Sequence, residues 1–256
     1  MNTFKHSGAF GDLIYSLPIV KHFGGGEFYL HLNQIDWIGS HYYGSQPDPF
    51  HRGRLTQQDW EFMQTFMLAQ PYITKFEVMD PATAAITHNL DRFRPVFVGH
   101  PDNYLNIYSS VFGLSKEQAD VIASTPWLTV PCPRPIEGRS VVINRSQRWI
   151  PASPGPAWQE LREQGVEDNA VFVGLPQEYA AFKQQIGWDI PYTATASMLD
   201  LAEIIAGADT FIGNQSQALA LAVGLGVEDC IVEARIDMPM ERNECFFPKM
   251  KNVRYI

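Results

Sequence analysis

Two short stretches carry residue types suited to chemistry. In the first, Ser7, Gly8 and Gly11 form a turn of small residues between a short strand over residues 2–5 and a helix that opens on Asp12. Small residues let another molecule approach the backbone, and a helix's first turn leaves its N–H groups without intrahelical acceptors. In an α/β protein such a turn lies at the carboxyl end of a strand, where clefts form, so Asp12 is a carboxylate at a cleft. In the second stretch a helix ends at Gly207. A brief strand then delivers Gly213, Asn214, Gln215 and Ser216 to the start of a nearly all-apolar helix over residues 216–224. So apolar a helix must be buried, and its N-terminus combines partial positive charge with free donors that suit a phosphate. The plainer alternative is a polar cap between strand and helix.

The elements that must position these stretches alternate in type. In the first half, residues 27–32, 73–79 and 96–98 read as strands. Thr56 reads as the N-cap of a helix to residue 69, closed by Pro71. Residues 104–112 read as a helix ended by Gly113, and the aromatic, Gly- and Pro-rich stretch 33–54 as a long loop. A connection over residues 125–138 carries Pro126, Pro131, Pro133 and Pro135. It predicts a boundary between an N-terminal domain over 1–135 and a C-terminal domain over 136–256. In the second half, strands are expected at 140–144, 170–174 and 210–213, and helices at 156–164, from 176, at 197–206 and at 216–224. Such alternation implies parallel sheets covered by helices, and two such domains leave a cleft for a small ligand.

Bulk properties narrow the class. At 256 residues with 45% hydrophobic content the chain can bury a sizeable core, and no run of roughly 20 apolar residues suggests a membrane span. A net charge of −9 disfavours an extended nucleic-acid surface but leaves room for a small basic pocket. Cys132, Cys230 and Cys245 are few and widely spaced. With no signal-peptide pattern, a cytoplasmic protein is expected. All seven histidines precede residue 101 and match no metal-ligand spacing, so no metal site is expected. Most read as structural; His6, beside the glycine turn, is the exception. No Asp-x-Asp, P-loop or G-x-G-x-x-G pattern occurs.

Together the stretches resemble the heptosyltransferase-like glycosyltransferases of GT-B architecture, in which two Rossmann-like domains face each other across a cleft. The likeness rests on Gly11-Asp12-Leu13-Ile14 with Leu17-Pro18 and on Ala208-Asp209-Thr210-Phe211-Ile212-Gly213-Asn214-Gln215-Ser216. Between them, Val141 to Asn144 followed by Arg145-Ser146-Gln147-Arg148-Trp149-Ile150-Pro151 resembles the family's first C-domain strand and basic turn. The resemblance implies a metal-independent, inverting transfer of a sugar from a nucleotide diphosphate donor to an acceptor hydroxyl, with no cofactor beyond the donor itself. It implies Asp12 as the general base, a role that suits an aspartate held ionised at a helix N-terminus. Arg145 and Arg148 would form a charge-assisted fork on the departing diphosphate, with Asn214, Gln215, Ser216 and Gln217 at the phosphate-binding helix tip. The acceptor would lie near Asp12 and the aromatic stretch 37–50.

Departures from the family pattern bear on the donor. An acid, a glycine and a histidine of the family are replaced here by Gln215, Gln217 and Ala220. Gln217 puts a side chain where the family's glycine lets phosphate approach the backbone. Two alternatives follow: a non-catalytic nucleotide- or sugar-binding protein with a degenerate donor site, and a glycosyltransferase acting on a modified nucleic-acid base. The spacing of Glu233 and Glu241 matches some retaining enzymes and is read as coincidence.

Overall fold

In a computed structural model the chain divides into two compact units, one gathering Met1–Trp127 and the other running on from Leu128. The structure describes residues 1–33, 55–82, 85–99, 102–147, 150, 154–234 and 253–256.

The first unit contains β1 (Thr3–His6), α1 (Phe10–His22), β2 (Gly26–Leu30), α2 (Gln57–Leu68), β3 (Ile73–Val78) and β4 (His88–Asn89). It continues with a 3-10 turn (Leu90–Arg92), α3 (Phe93–Gly99), α4 (Tyr104–Val111) and α5 (Lys116–Ala123). The strands form a parallel sheet in the order β3-β2-β1-β4. Local signals explain much of this. Thr56 accepts from the Asp59 N–H while the Asp59 carboxylate accepts from the Thr56 N–H, a complete capping box at the start of α2. Ser115 and Gln118 start α5 in the same way, although the sequence reading assigned no helix there.

One expectation is corrected. The run Val96 to Val98 lies within helix α3, not in a strand. The Asn89 side chain accepts from the Asp91 N–H and opens the 3-10 turn, which carries straight on into the helix. Phe93, at the start of α3, then stacks on Tyr108 at 4.5 Å between centroids. Capping and aromatic packing outweigh the β propensity of two valines.

The second unit contains β5 (Val141–Asn144), α6 (Ala157–Glu163), β6 (Ala170–Gly174), α7 (Pro176–Ile186) and β7 (Tyr192–Ala194). It continues with α8 (Met198–Ala206), β8 (Thr210–Gly213), α9 (Gln217–Leu225), β9 (Asp229–Val232) and β10 (Val253–Tyr255). All its strand pairs are parallel, in the order β10-β9-β8-β5-β6-β7. Numbered within the unit this is 6-5-4-1-2-3, the order of the dinucleotide-binding fold. Trp158, Phe172, Phe182 and Trp188 fill the core between the sheet and its helices. Helix α9 is buried from Ala218 to Gly224, as its apolar sequence requires.

Trp127 accepts a bond from the Tyr72 hydroxyl at 2.8 Å in the first unit. From Leu128 the chain belongs to the second unit, with Leu128 N–H donating to Gly224 and Arg134 N–H to Glu203.

Candidate functional site

Each sheet has one place where successive connections leave in opposite directions, and ligands of such folds bind beyond the strand ends there. In the first unit this point lies between β1 and β4. Ser7, the residue after β1, donates its N–H (3.2 Å) and its hydroxyl (2.8 Å) to Oδ1 of Asp91 just past β4. Arg94 donates from Nε to the same Asp91 oxygen (3.3 Å) and from Nη1 to Oδ2 of Asp12 (3.2 Å). Lys5 adds an ammonium 3.8 Å from Asp91. Asp12, Asp91 and Arg94 are all buried. Two carboxylates thus face two cations, which is how buried charge is tolerated. Burial works against the Arg94 charge, but Asp12 and then Asp91 outweigh it and raise its pKa. Asp91 is itself pushed up by burial and pulled further down by its neighbours, with the Arg94 charge, the Ser7 hydrogen bond and Lys5 acting at pH 7 and His6 adding its pull only once protonated.

A second chain of bonds fixes the start of α1. Burial drives the His6 pKa down to about 4, against the pull of Asp91. The ring is therefore neutral at pH 7. Gly8 N–H donates to its Nδ1 at 3.0 Å, which leaves Nε2–H to donate to the Tyr108 hydroxyl at 2.9 Å. Tyr108 in turn donates to the Asp12 carbonyl at 2.9 Å. The glycine turn, β1 and α4 are thereby tied to the helical turn that carries Asp12. Asp12 Oδ1 accepts no hydrogen bond among the described residues.

The expectation that Ser7, Gly8 and Gly11 all line a cleft is corrected in part. Ser7 is fully buried in its bonds to Asp91. A Cβ on Gly8 would meet Arg94 Nη2 at 1.6 Å, so this glycine makes room for the protein's own guanidinium instead of a ligand. Only Gly11 faces open space. Sequence reasoning missed Asp91, Arg94 and Tyr108. The available signal was Asn89 capping a helix start, hidden by reading 96–98 as a strand.

In the second unit the corresponding point lies between β5 and β8. Ser146 donates its N–H to Oδ1 of Asn214 at 3.0 Å, and Asn214 Nδ2 returns a bond to the Ser146 carbonyl at 3.0 Å. Asn214 is fully buried and works as a clamp between strand ends. Beyond it, Gln215, Ser216 and Gln217 are half-buried at the tip of α9. Ser216 is the N-cap but makes no side-chain capping bond; its hydroxyl donates to Asn144 Oδ1 at 3.5 Å. The first turn of α9 thus keeps donors for an anion.

Arg145 does not present the open fork expected of it. Its Nε and Nη2 donate to the two oxygens of Glu233 (2.6 and 3.0 Å), and Nη1 donates to Gln185. Trp158 Nε1 adds a bond to Glu233 at 2.9 Å. The arginine is 3% exposed, and its planar donors are already matched by a carboxylate. This pairing also accounts for Glu233 without a catalytic role. Arg148, the stretch 37–50, Cys245 and Glu241 lie outside the described residues. Among the described residues no group of three or more His, Cys, Asp or Glu side chains could hold a metal ion, and no helix is long and apolar enough to cross a membrane.

No protein-family model matches the sequence, and no curated protein matches it. Solved structures do. A glycosyl transferase family 9 protein from Veillonella parvula superposes with a TM-score of 0.63 at 10% identity, over 99% of this chain and 84% of that one. The ADP-heptose LPS heptosyltransferase II of E. coli gives 0.57 at 12% identity, over 100% and 90%. TibC, described as a bacterial iron-containing dodecameric glycosyltransferase from enterotoxigenic E. coli, gives 0.55 at 15% identity, over 96% and 60%. The chain has the fold of these glycosyltransferases. The two parallel α/β units expected from the sequence are the ones they share, at an identity where fold alone is carried over.

Proposed function

We propose that the chain is a glycosyltransferase that moves a sugar from a nucleotide diphosphate to an acceptor hydroxyl by a single inverting displacement. The carrying observation is the tip of α9 at the switch point of a dinucleotide-type sheet, with an N-cap hydroxyl not engaged by its own helix. In this reading the donor diphosphate sits on Ser216 and the N–H groups that follow it, which stabilise the charge developing as the sugar departs. The acceptor hydroxyl gives its proton to Asp12 as its oxygen bonds to the sugar carbon, and the bond to the diphosphate breaks. Arg94 holds one oxygen of Asp12 and leaves the other to the acceptor. Neither task calls for a metal, and none is included in the proposal.

One observation favours a second reading, a nucleotide- or sugar-binding protein without turnover: the fork expected of Arg145 is closed by Glu233. Thermal unfolding in the presence of nucleoside diphosphates and nucleotide sugars tests both. A ligand at 100 times its Kd adds about 2.7 kcal/mol to stability. Stabilisation with sugar release dependent on Asp12 supports the transferase; stabilisation without any turnover supports the second reading. No stabilisation by any of these compounds excludes both. The net charge of −9 weighs against a nucleic-acid acceptor, for which binding to DNA would have to be shown at moderate salt.

A further inference from the structure

Away from both switch points, the first unit carries an open groove of about 560 Å³. One wall is a face of α2 with Trp60, Gln64 and Leu68, and the other is the run 74–78 of β3. Strand β3 is the last in its sheet, and among the described residues no strand pairs with its outer edge. Met79 N–H, one residue past the strand, donates to the Leu30 carbonyl of β2. Because backbone direction alternates along a strand, the N–H and C=O groups of Phe76 and Val78 point the other way, out of the sheet, while the register shifts at Thr74. An edge of that kind invites another strand.

The side chains say which strand. Lys75 and Glu77 lie on one face, ion-paired at 2.9 Å, with side chains 40% and 51% exposed. Set a second copy of β3 antiparallel against the first, with Phe76 opposite Phe76 and Thr74 opposite Val78. The outward N–H and C=O of Phe76 then meet those of its copy. Lys75 of each copy lies opposite Glu77 of the other, in the non-hydrogen-bonded positions where facing side chains come closest. A slip of two residues in either direction sets Lys75 against Lys75 or Glu77 against Glu77, which charge repulsion disfavours. The edge is therefore self-complementary in one register, as a two-fold interface requires. Leu68, 48% exposed on α2 beside this edge, would be covered by such a junction.

We propose that β3 is a homodimerisation edge, joining the sheets of two copies through antiparallel β3 strands. Analytical ultracentrifugation of the full chain over a concentration series tests it, with circular dichroism confirming that each variant is folded. The wild type is expected to dimerise. Lys75→Glu and Glu77→Lys, both at half-exposed positions, are each expected to weaken self-association by about tenfold or more, since each puts like charges opposite one another. Two restorations are then expected. The double exchange Lys75→Glu with Glu77→Lys recovers the homodimer, and an equimolar mixture of the two single variants forms heterodimers. A dimer indifferent to the single exchanges, or single variants that neither the double exchange nor mixing restores, overturns the proposal. So does a wild type that stays monomeric, an outcome that leaves the groove to an extended segment of another protein.

Discussion

The two switch points share one device in different electrostatic surroundings. In each, a serine just past the first strand donates its N–H and its hydroxyl to the Oδ1 of an Asx residue just past the strand where the order reverses: Ser7 to Asp91, and Ser146 to Asn214. The Asx residue is charged in the first unit and neutral in the second. Asp91 draws in Arg94, which reaches Asp12, and with Lys5 the first site is a charge-balanced cluster of two carboxylates and two cations. Asn214 is itself neutral and exchanges hydrogen bonds with Ser146 in both directions. A site meant to hold a base needs ionic neighbours to orient it. A site meant to hold an anion needs donors that have no anion already. Among the described residues Arg145, just past the first strand of the second unit, is already paired with Glu233, which is consistent with the proposed division.

This comparison can be broken in several ways. The largest effect is expected at Asp12. Asp12→Asn keeps the fold and binds nucleotide as the wild type does, but turnover falls by roughly 10²–10⁴-fold, measured as sugar release from the donor. Retained turnover removes Asp12 from the chemistry. Next come the two buried arginines. Arg94→Met and Arg145→Met each leave a buried carboxylate without its partner and are expected to cost about 3–5 kcal/mol in denaturant unfolding. If Arg145→Met leaves stability unchanged and weakens nucleotide binding instead, the internal role assigned to Arg145 is wrong.

The third effect concerns pH. His6 is buried neutral with its pKa lowered from 6.5 to about 4. Between those values the unfolded chain binds the proton and the folded chain does not. The contribution is thus fully present above pH 6.5 and is lost as pH falls toward 4, by about 3 kcal/mol in all. Unfolding measured across that window should show this slope, and His6→Gln should flatten it. The smallest effect contrasts two helix caps. Ser197 accepts from the Asp200 N–H at 3.1 Å, whereas Ser216 makes no such bond. Ser197→Ala is expected to cost about 1 kcal/mol of stability without changing nucleotide affinity. Ser216→Ala should do the opposite, with stability nearly unchanged and affinity reduced.

What the sequence disclosed depended on range. The N-cap at Thr56, the strand 210–213 and the buried helix after Ser216 were all legible, because each is signalled within a few neighbouring residues. The position of Asp12 in the first turn of α1 followed from the glycine turn before it. What gives that residue its surroundings did not. Arg94 is 82 residues from Asp12, and Glu233 is 88 from Arg145. Pairings of that kind are made by sheet order, which no local pattern encodes. The misread run at Val96 to Val98 had a direct consequence, since a strand there would have carried Arg94 away from the cluster. Gly8 had a similar fate: its small size was visible, but the molecule that approaches it is the protein's own arginine.

Hydrogen exchange with and without a saturating nucleoside diphosphate tests most directly whether the two points divide the work. The account predicts that nucleotide slows exchange at the first-turn amides of α9, residues 217–219, and leaves those of Ser7 to Ala9, just before α1, unchanged. Protection at the glycine turn with none at α9 would contradict it.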